Sequence, residues 1–255
     1  MRIASWNVNS LAVRLPHVLT WLETHQPDVL CLQETKLADD KFPCIECTAA
    51  GYQALFCGQK TYNGVAILSK RPALDMVCAL PAFEDPQKRL IAATVDGVRV
   101  VCVYVPNGQS VDSEKYRYKL AWLTACGAWL QAELERYPKL AVAGDYNIAP
   151  EERDVHDPKA WEGQVLFSAP ERAAFQGLLA LGLKDSFRLF EQPPASFTWW
   201  DYRMNAFRRK MGLRIDHILL SAPAAAACRA STIDIEPRRA ERPSDHAPIY
   251  VDLEI

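Results

Sequence analysis

The sequence predicts a layered α/β domain in which two packed β-sheets are covered by helices. Three observations predict it. Short apolar runs of strand length recur from end to end of the 255 residues. Three stretches of helical periodicity stand between them. Asp96-Gly97, set between two apolar runs, is a two-residue hairpin signal, and a hairpin excludes a purely parallel sheet. At roughly 150 residues per domain this length permits one large domain or two small ones. No repeat, low-complexity tract or Pro/Gly-rich linker divides the chain, so residues 1–255 read as a single domain.

In chain order, residues 2–6 open as a strand. Leu15, Val18, Leu19 and Leu22 recur at helical spacing, and that helix closes before Pro27, whose ring crowds the helical backbone of the residue before it. Residues 28–33 (DVLCLQ) and 64–68 (GVAIL) are apolar runs of strand length. Residues 90–95 and 98–105 flank Asp96-Gly97, residue types that accept the positive φ of a type I′ turn. Leu120, Leu123, Leu130 and Leu134 form a second helical stripe, with Trp122 and Trp129 alongside. Residues 140–143 are short and fully apolar. Ser168-x-x-Glu171 is a capping box that opens a helix over residues 169–181, with Gly182 as its stop. Residues 213–220 and 249–255 complete the strands. The last run alternates Ile249, Val251, Leu253 and Ile255 with Tyr250, Asp252 and Glu254, so one face is wet.

Apolar residues make up 49% and charged residues 24%, a globular composition that excludes global disorder and a coiled coil. Lys and Arg number 29 against 31 Asp and Glu, a formal net charge of −2. A near-neutral chain has no overall attraction for nucleic acid, although net charge hides distribution. Neither a signal-peptide core nor an apolar stretch of membrane-spanning length is present, so the expectation is a cytoplasmic protein with reduced thiols and no membrane. Cys31 and Cys102 sit inside apolar runs, where a thiol packs as a small hydrophobe. Cys44-x-x-Cys47 lacks the second pair of a zinc site and is expected to be a surface loop with two free thiols.

The informative pattern lies at the ends of the apolar runs. The first ends at Asn7, with Asn9 two residues on. The second ends at Glu34. The second hairpin strand ends at Tyr104, followed by Pro106-Asn107. Residues 140–143 run into Gly144-Asp145-Tyr146-Asn147. Asp216 lies inside its run, and Asp245-His246 stands just before the last one. Any one of these has a plain alternative, an Asp or Asn turning the chain at a strand end. A carboxylate within a buried strand is costly unless it is paired or bound to metal. If the strand ends converge, they make an oxygen-rich cleft. Oxygen ligands without clustered His or Cys favour Mg²⁺, with Mn²⁺ as a substitute, over zinc. One His beside them suits phosphate chemistry, stabilising a phosphoryl oxygen or moving a proton. Asp216 and Asp245-His246 offer a carboxylate–imidazole pair that fixes the ring tautomer. No G-x-S-x-G elbow and no Walker or dinucleotide glycine pattern is present, so the nucleophile is read as water. The residues alone thus lead to a Mg²⁺-dependent phosphate-ester hydrolase with its substrate undefined.

SWNVNS, PDVLCLQETK, GVAILSK, YVPNG, AGDYNIAP, FTWWDYR, LRIDHILLS and PSDHAP occur in this order along the chain. LQETK, GDYNIAP and SDHAP in this order and spacing are highly specific. Together they resemble the exonuclease III family of abasic-site endonucleases, within the endonuclease/exonuclease/phosphatase superfold. The resemblance implies a four-layer, deoxyribonuclease-I-like sandwich of two mixed, mainly antiparallel β-sheets flanked by α-helices. It implies hydrolysis of phosphodiesters in damaged DNA: cleavage 5′ to an abasic site, or removal of 3′-terminal nucleotides and blocking groups. The implied partner is double-stranded DNA with an abasic site or a 3′ end, and the expected state is a monomer.

Carried over residue by residue, Glu34 resembles the principal Mg²⁺ ligand, with Asn7 beside it. Asp145 resembles the residue that orients or deprotonates the attacking water. Asn147 resembles the group holding that water and the phosphate. Tyr104 and Asn107 resemble phosphate-side contacts. Asp216 resembles the partner of His246, and Asp245 a further metal-site carboxylate. His246 resembles the donor to a non-bridging phosphate oxygen in the transition state. The metal set is thus Glu34, Asn7, Asp145, Asn147, Asp245 and His246. The same resemblance places Trp199, Leu213 and Ile215 around a small apolar pocket for a flipped-out, base-less sugar. The alternative for Trp199 and Trp200 is a place among the core aromatics. Trp161, Leu166 and Phe167, in the loop over residues 153–167, are bulky enough to narrow access.

Between Tyr202 and Ile215 stand Arg203, Arg208, Arg209, Lys210 and Arg214 and no acid, with Arg238, Arg239 and Arg242 further on. A solvated loop is the common reading of such a run. Beside a phosphate site it is expected to grip the DNA backbone, chiefly through Arg208, Arg209 and Lys210. Two other readings remain open here: a phosphatase of the same superfold acting on small or lipid phosphate esters, and a non-catalytic lesion-binding module.

Overall fold

The computed structural model describes residues 1–255. The first half of the chain forms β1 (Arg2–Asn7), α1 (Leu11–His25), β2 (Val29–Gln33), α2 (Cys44–Ala49), β3 (Gln53–Cys57), β4 (Val65–Ser69), β5 (Ala73–Cys78), β6 (Leu90–Val95), β7 (Val98–Tyr104) and α3 (Glu114–Arg136). The second forms β8 (Leu140–Asp145), α4 (Pro158–Trp161), α5 (Ala169–Ala180), β9 (Lys184–Asp185), β10 (Asp216–Leu220), α6 (Ala222–Ala226), β11 (Cys228–Ile233) and β12 (Ile249–Leu253). The strands make two six-stranded sheets, in the orders β11-β12-β1-β2-β4-β3 and β5-β6-β7-β8-β10-β9. Each is mixed and mainly antiparallel, with one parallel pair: β1 with β2, and β7 with β8.

The apolar runs read from the sequence supply the central strands. β2, β4 and β8 are buried along their whole length, so they carry no alternation. Residues pointing between the sheets, among them Ile3, Cys31, Ile67, Val100, Cys102, Ala143, Leu220 and Val251, form one shared core. The outer face of the first sheet packs beneath α1 through Trp6, Val18, Trp21 and Leu22. The outer face of the second packs beneath α3 and α5 through Trp122, Leu130, Phe175 and Leu178. The result is four layers. Burial of each such side chain contributes about 1.5–3 kcal/mol, so these cores hold the layers together. The Asp96-Gly97 turn forms with positive φ at both residues, and the Ser168/Glu171 capping box closes at the start of α5.

The structure departs from the sequence expectation in several places. β3, β5, β9 and β11 were not expected. β3 and β5 are edge strands, β9 has only two residues and closes the other edge, and β11 is rich in polar residues, so none shows a clean apolar pattern. β5 also bulges between Leu74 and Val77, where Asp75 takes a positive φ. β8 runs on to Asp145, β10 begins only at Asp216, and β12 stops at Leu253 with Ile255 exposed. Cys44 and Cys47 lie on α2 rather than in a loop; both are free, Cys44 exposed and Cys47 buried. The side chains of Cys57 and Cys78 meet across β3 and β5, and the other six cysteines are free. No helix is long and apolar enough to cross a membrane.

This topology gathers the polar residues. β1 and β2 end together at Asn7 and Gln33, and β7 and β8 end together at Tyr104 and Asp145. Antiparallel β10 begins at the same level, with Asp216 opposite Asp145. The segment leading into β12 arrives beside the end of β1. All these termini therefore meet at one end of the sandwich, across the seam between the sheets.

Candidate active site

Asn7 is fully buried and joins the two sheets. Its Nδ2 donates to Glu34 Oε1 at 2.9 Å in one half and to Asp145 Oδ2 at 2.9 Å in the other. Asp145 Oδ1 accepts the backbone N–H of Asn147 at 2.8 Å. Asn147 holds a positive φ, and its Nδ2 donates to Val105 O at 3.0 Å. Its Oδ1 accepts Asn107 Nδ2 at 3.0 Å. Burial pushes the Asp145 carboxyl up, with the His246 imidazolium opposing.

His246 is buried, and its Nδ1 faces both oxygens of Asp216, at 2.9 Å and 3.1 Å. That contact places the proton on Nδ1 and turns Nε2 toward the cleft, 3.8 Å from Asp145 Oδ2. Desolvation disfavours the charged ring, but Asp216 and Asp145 outweigh it and push His246 up to about 10. The ring is an imidazolium at neutral pH in this arrangement. Ser244, which the sequence reading did not single out, stitches this segment to β1: its Oγ donates to Asn7 O at 2.7 Å and accepts His246 N–H at 3.2 Å.

Glu34, Asp145 and His246 offer ligand atoms that all lie within 4.8 Å of one another. Two carboxylates this close repel unless a cation lies between or beside them. Lys36 Nζ, 2.9 Å from Glu34 Oε2, offsets one of them. The donor set is oxygen-rich and fits a hard divalent cation. Asp245 stands outside this group: its oxygens accept Asn9 Nδ2 and Trp199 Nε1, each at 3.0 Å. Asn107 lies in the exposed loop after β7, tied inward by its bond to Asn147. Tyr104 is half-buried, with the Arg89 guanidinium 4.7 Å from its ring centre. Burial, with Glu34 and Asp145 nearby, pushes its hydroxyl up, so it stays a neutral donor.

The apolar wall differs from its expected form. Leu213 and Ile215 are buried beneath Leu166 and Phe167 in one small core with Ala149 and Val155. They line no open pocket, because the loop over residues 153–167 folds onto them. Trp199 alone of the three is partly exposed. It is held by paired backbone bonds to Leu213 at 2.9 Å.

The basic run also divides. Arg208, Arg209 and Lys210 are exposed, as expected. Arg208 and Lys210 rim a cavity of about 560 Å³ floored by Phe197, Trp200 and Phe207. Arg203 is exposed but paired with Asp201 at 2.8 Å. Arg214 is no part of a surface grip: it is buried, with Nε on Asp154 and Nη2 on Asp185, each at 2.7 Å. It also donates to His217 Nδ1 at 3.0 Å, so His217 Nε2–H donates to Ile148 O at 2.9 Å. Burial and Arg214 push His217 down to about 4, leaving it neutral. Arg238 is likewise buried, donating to Ser244 O and lying 5.0 Å from the Phe207 ring centre.

The chain is similar to known proteins over its whole length. The model of the endonuclease/exonuclease/phosphatase family matches residues 4–246. Exodeoxyribonuclease III of Haemophilus influenzae is 37% identical, covering 99% of this chain and 100% of its own. The structure of a Neisseria 3′ phosphatase bound to a product DNA hairpin is 48% identical with a TM-score of 0.98, covering 100% of both chains. The structure of an AP endonuclease from Archaeoglobus fulgidus is 40% identical with a TM-score of 0.96, again covering 100% of both. A match over nearly the whole chain, on a sandwich whose sheets meet at these carboxylates, means that the protein belongs to the endonuclease/exonuclease/phosphatase family.

Proposed function

We propose that the protein is a Mg²⁺-dependent DNA-repair phosphodiesterase. It hydrolyses the phosphodiester 5′ to abasic sites or removes 3′-terminal nucleotides and 3′-blocking groups from duplex DNA. The observation that carries this is the hydrogen-bonded chain Glu34–Asn7–Asp145, which bridges the two sheets, with the His246–Asp216 pair facing it and His246 Nε2 3.8 Å from Asp145 Oδ2. Glu34, Asn7 and Asp145 would hold the cation, with Asn147, Asp245 and His246 around them. Once bound, it polarises a phosphoryl oxygen and offsets developing charge.

The chain's own residues do the rest. Asp145, held on both oxygens, receives the proton of the attacking water; its raised proton affinity suits a base near neutral pH. Asn147, fixed by Asn107 and Val105, orients that water and the phosphate. His246, protonated on both ring nitrogens, donates from Nε2 to a non-bridging oxygen as charge builds, and Asp216 holds the imidazolium in that orientation. Tyr104 and Asn107 donate to the phosphate. Trp199 faces the sugar, with Leu213 and Ile215 as its packed backing. Arg208, Arg209 and Lys210 contact the backbone. Leu166 and Phe167 pack onto Leu213 and Ile215, and this packing supports 3′-end work over internal cleavage. The protein acts as a monomer in the cytoplasm.

The test is one labelled duplex panel: an internal abasic site, a recessed 3′ end, a 3′-phosphate and an intact control. With Mg²⁺ the 3′-ended substrates are processed fastest, leaving 3′-OH, and EDTA stops the reaction. Faster turnover of soluble phosphate esters than of any duplex would establish the phosphatase reading instead. Tight lesion binding without any cleavage would establish the binding module.

A further inference from the structure

Lys119 is a charge with no contact to solvent. It lies on α3, a helix whose apolar stripe faces the second sheet, and its side chain is completely buried. A buried ammonium is costly unless its charge is paired and its protons are all taken up. Here they are. Nζ donates to Glu171 Oε1, to Asn147 O at 2.6 Å and to Asn107 O at 3.1 Å. Two of the three acceptors are main-chain carbonyls of the two residues whose carboxamides meet at the active site.

Glu171 is equally buried, and its place is fixed from α5. Its Oε2 accepts Ser168 N–H at 3.1 Å, as the capping box requires, and also accepts the Ser168 hydroxyl. With its proton on Glu171, Ser168 Oγ accepts the hydroxyl of Tyr116, which lies one turn before Lys119 on α3. Glu171 Oε1 also accepts Leu166 N–H at 3.0 Å, in the loop that covers the apolar wall. One ion pair therefore ties together α3, α5, the loop after β7, the loop after β8 and the loop over residues 163–167.

We propose that Lys119, held by Glu171, is a positioning residue for the hydrolysis: it clamps the backbones of Asn107 and Asn147 so that their side chains meet beside Asp145. The second clamp on this segment is His217 Nε2 on Ile148 O, from the opposite side. Asn147 holds a positive φ, a conformation that needs such over-determination in a residue with a side chain. Without the ammonium, the Asn107 and Asn147 carbonyls lose their buried donor and the segment relaxes. Misplacement of a reacting group by about 1 Å costs on the order of 100-fold in rate.

The same helix supplies a control. Glu133 also lies on α3 and pairs with buried Arg99 at 2.6 Å, but neither residue touches the active site. The proposal rests on the hydrolase reading. Accordingly the wild-type rate on the preferred duplex tests that reading, while variant-to-wild-type ratios test Lys119. Lys119→Met is expected to lower kcat about 100-fold with KM within about threefold. Glu133→Gln is expected to lower Tm with kcat within about twofold of wild type. Glu171→Gln keeps size and capping and serves if Lys119→Met does not fold. It is expected to lower kcat about 10-fold and to move the side-chain amide NMR signals of Asn107 and Asn147, which Glu133→Gln leaves in place. A kcat for folded Lys119→Met within threefold of Glu133→Gln, or unmoved Asn107 and Asn147 amide signals in Glu171→Gln, would overturn the proposal. Should wild type be inactive on every duplex, the hydrolase reading fails and the amide signals still decide the clamp.

Discussion

Asp145 is held on both of its carboxylate oxygens. One oxygen accepts a backbone N–H, the other accepts the Asn7 amide, and an imidazolium lies 3.8 Å away. Asp145→Asn keeps the shape but places an NH₂ group against Asn7 or Asn147 and removes the proton acceptor. Turnover is expected to fall by about 10²–10⁴-fold, with duplex affinity within a few-fold. Single-turnover cleavage and fluorescence anisotropy on one labelled duplex measure both. Wild-type turnover would remove Asp145 from the role of base. Alone, an Asp at a strand end reads equally well as a turn. Asp145 was legible in the sequence as one of several polar residues at the ends of apolar runs and as part of GDYNIAP. Lys119 was not: on a helix it reads as one more solvated cation, and its partner is 52 residues away. Arg214 misled for the same reason. It sits in a run of exposed cations, while the Asp154 and Asp185 that bury it lie 60 and 29 residues distant.

At the scale of elements, central strands were legible and edges were not. β2, β4 and β8 are buried on both faces and read as unbroken apolar runs. β5 faces solvent along much of its length and carries a bulge, so its pattern dissolves. The cleft was legible through strand ends, because the residue at which a buried run turns polar is the residue delivered to the rim. The segment between Trp199 and Leu213 shows the limit. Its backbone is pinned at both ends by the paired bonds of those two residues, and of its cations Arg208, Arg209 and Lys210 are exposed without a salt bridge. Neutralising all three is expected to weaken duplex binding and to flatten log Kd against log salt by up to about 2.7, at about 0.9 for each phosphate no longer neutralised. An unchanged slope in an anisotropy titration would make the segment a solvated loop.

The whole molecule is two sheets sharing one interior, and the active site lies where the ends of their central strands meet. Neither sheet can lose its inner face without exposing the other's, so unfolding is expected as a single transition. A divalent cation that binds only the assembled site raises that transition, by about 2.7 kcal/mol at a hundredfold excess over its Kd. Calorimetry with Mg²⁺ and with EDTA checks both points. Replacing Glu34 with Gln is expected to abolish most of the difference. Two resolved transitions would mean that the sheets fold as separate domains. The near-equal balance of 29 basic against 31 acidic residues also takes on meaning at this scale. Glu34, Asp145 and Asp216 gather at the seam, and three consecutive exposed cations, Arg208, Arg209 and Lys210, stand on the segment between Trp199 and Leu213.

The order of the strands has one more consequence, which concerns synthesis. β12 fills the place between β11 and β1, and His246 stands three residues before it. A ribosome that has released only the first 240 residues has already made Glu34, Asp145 and Asp216. It has made neither the imidazole that pairs with Asp216 nor the strand that completes the first sheet. The half-made chain holds most of the hydrolytic groups yet cannot bring them into register. A nuclease built this way stays silent until β12 has emerged.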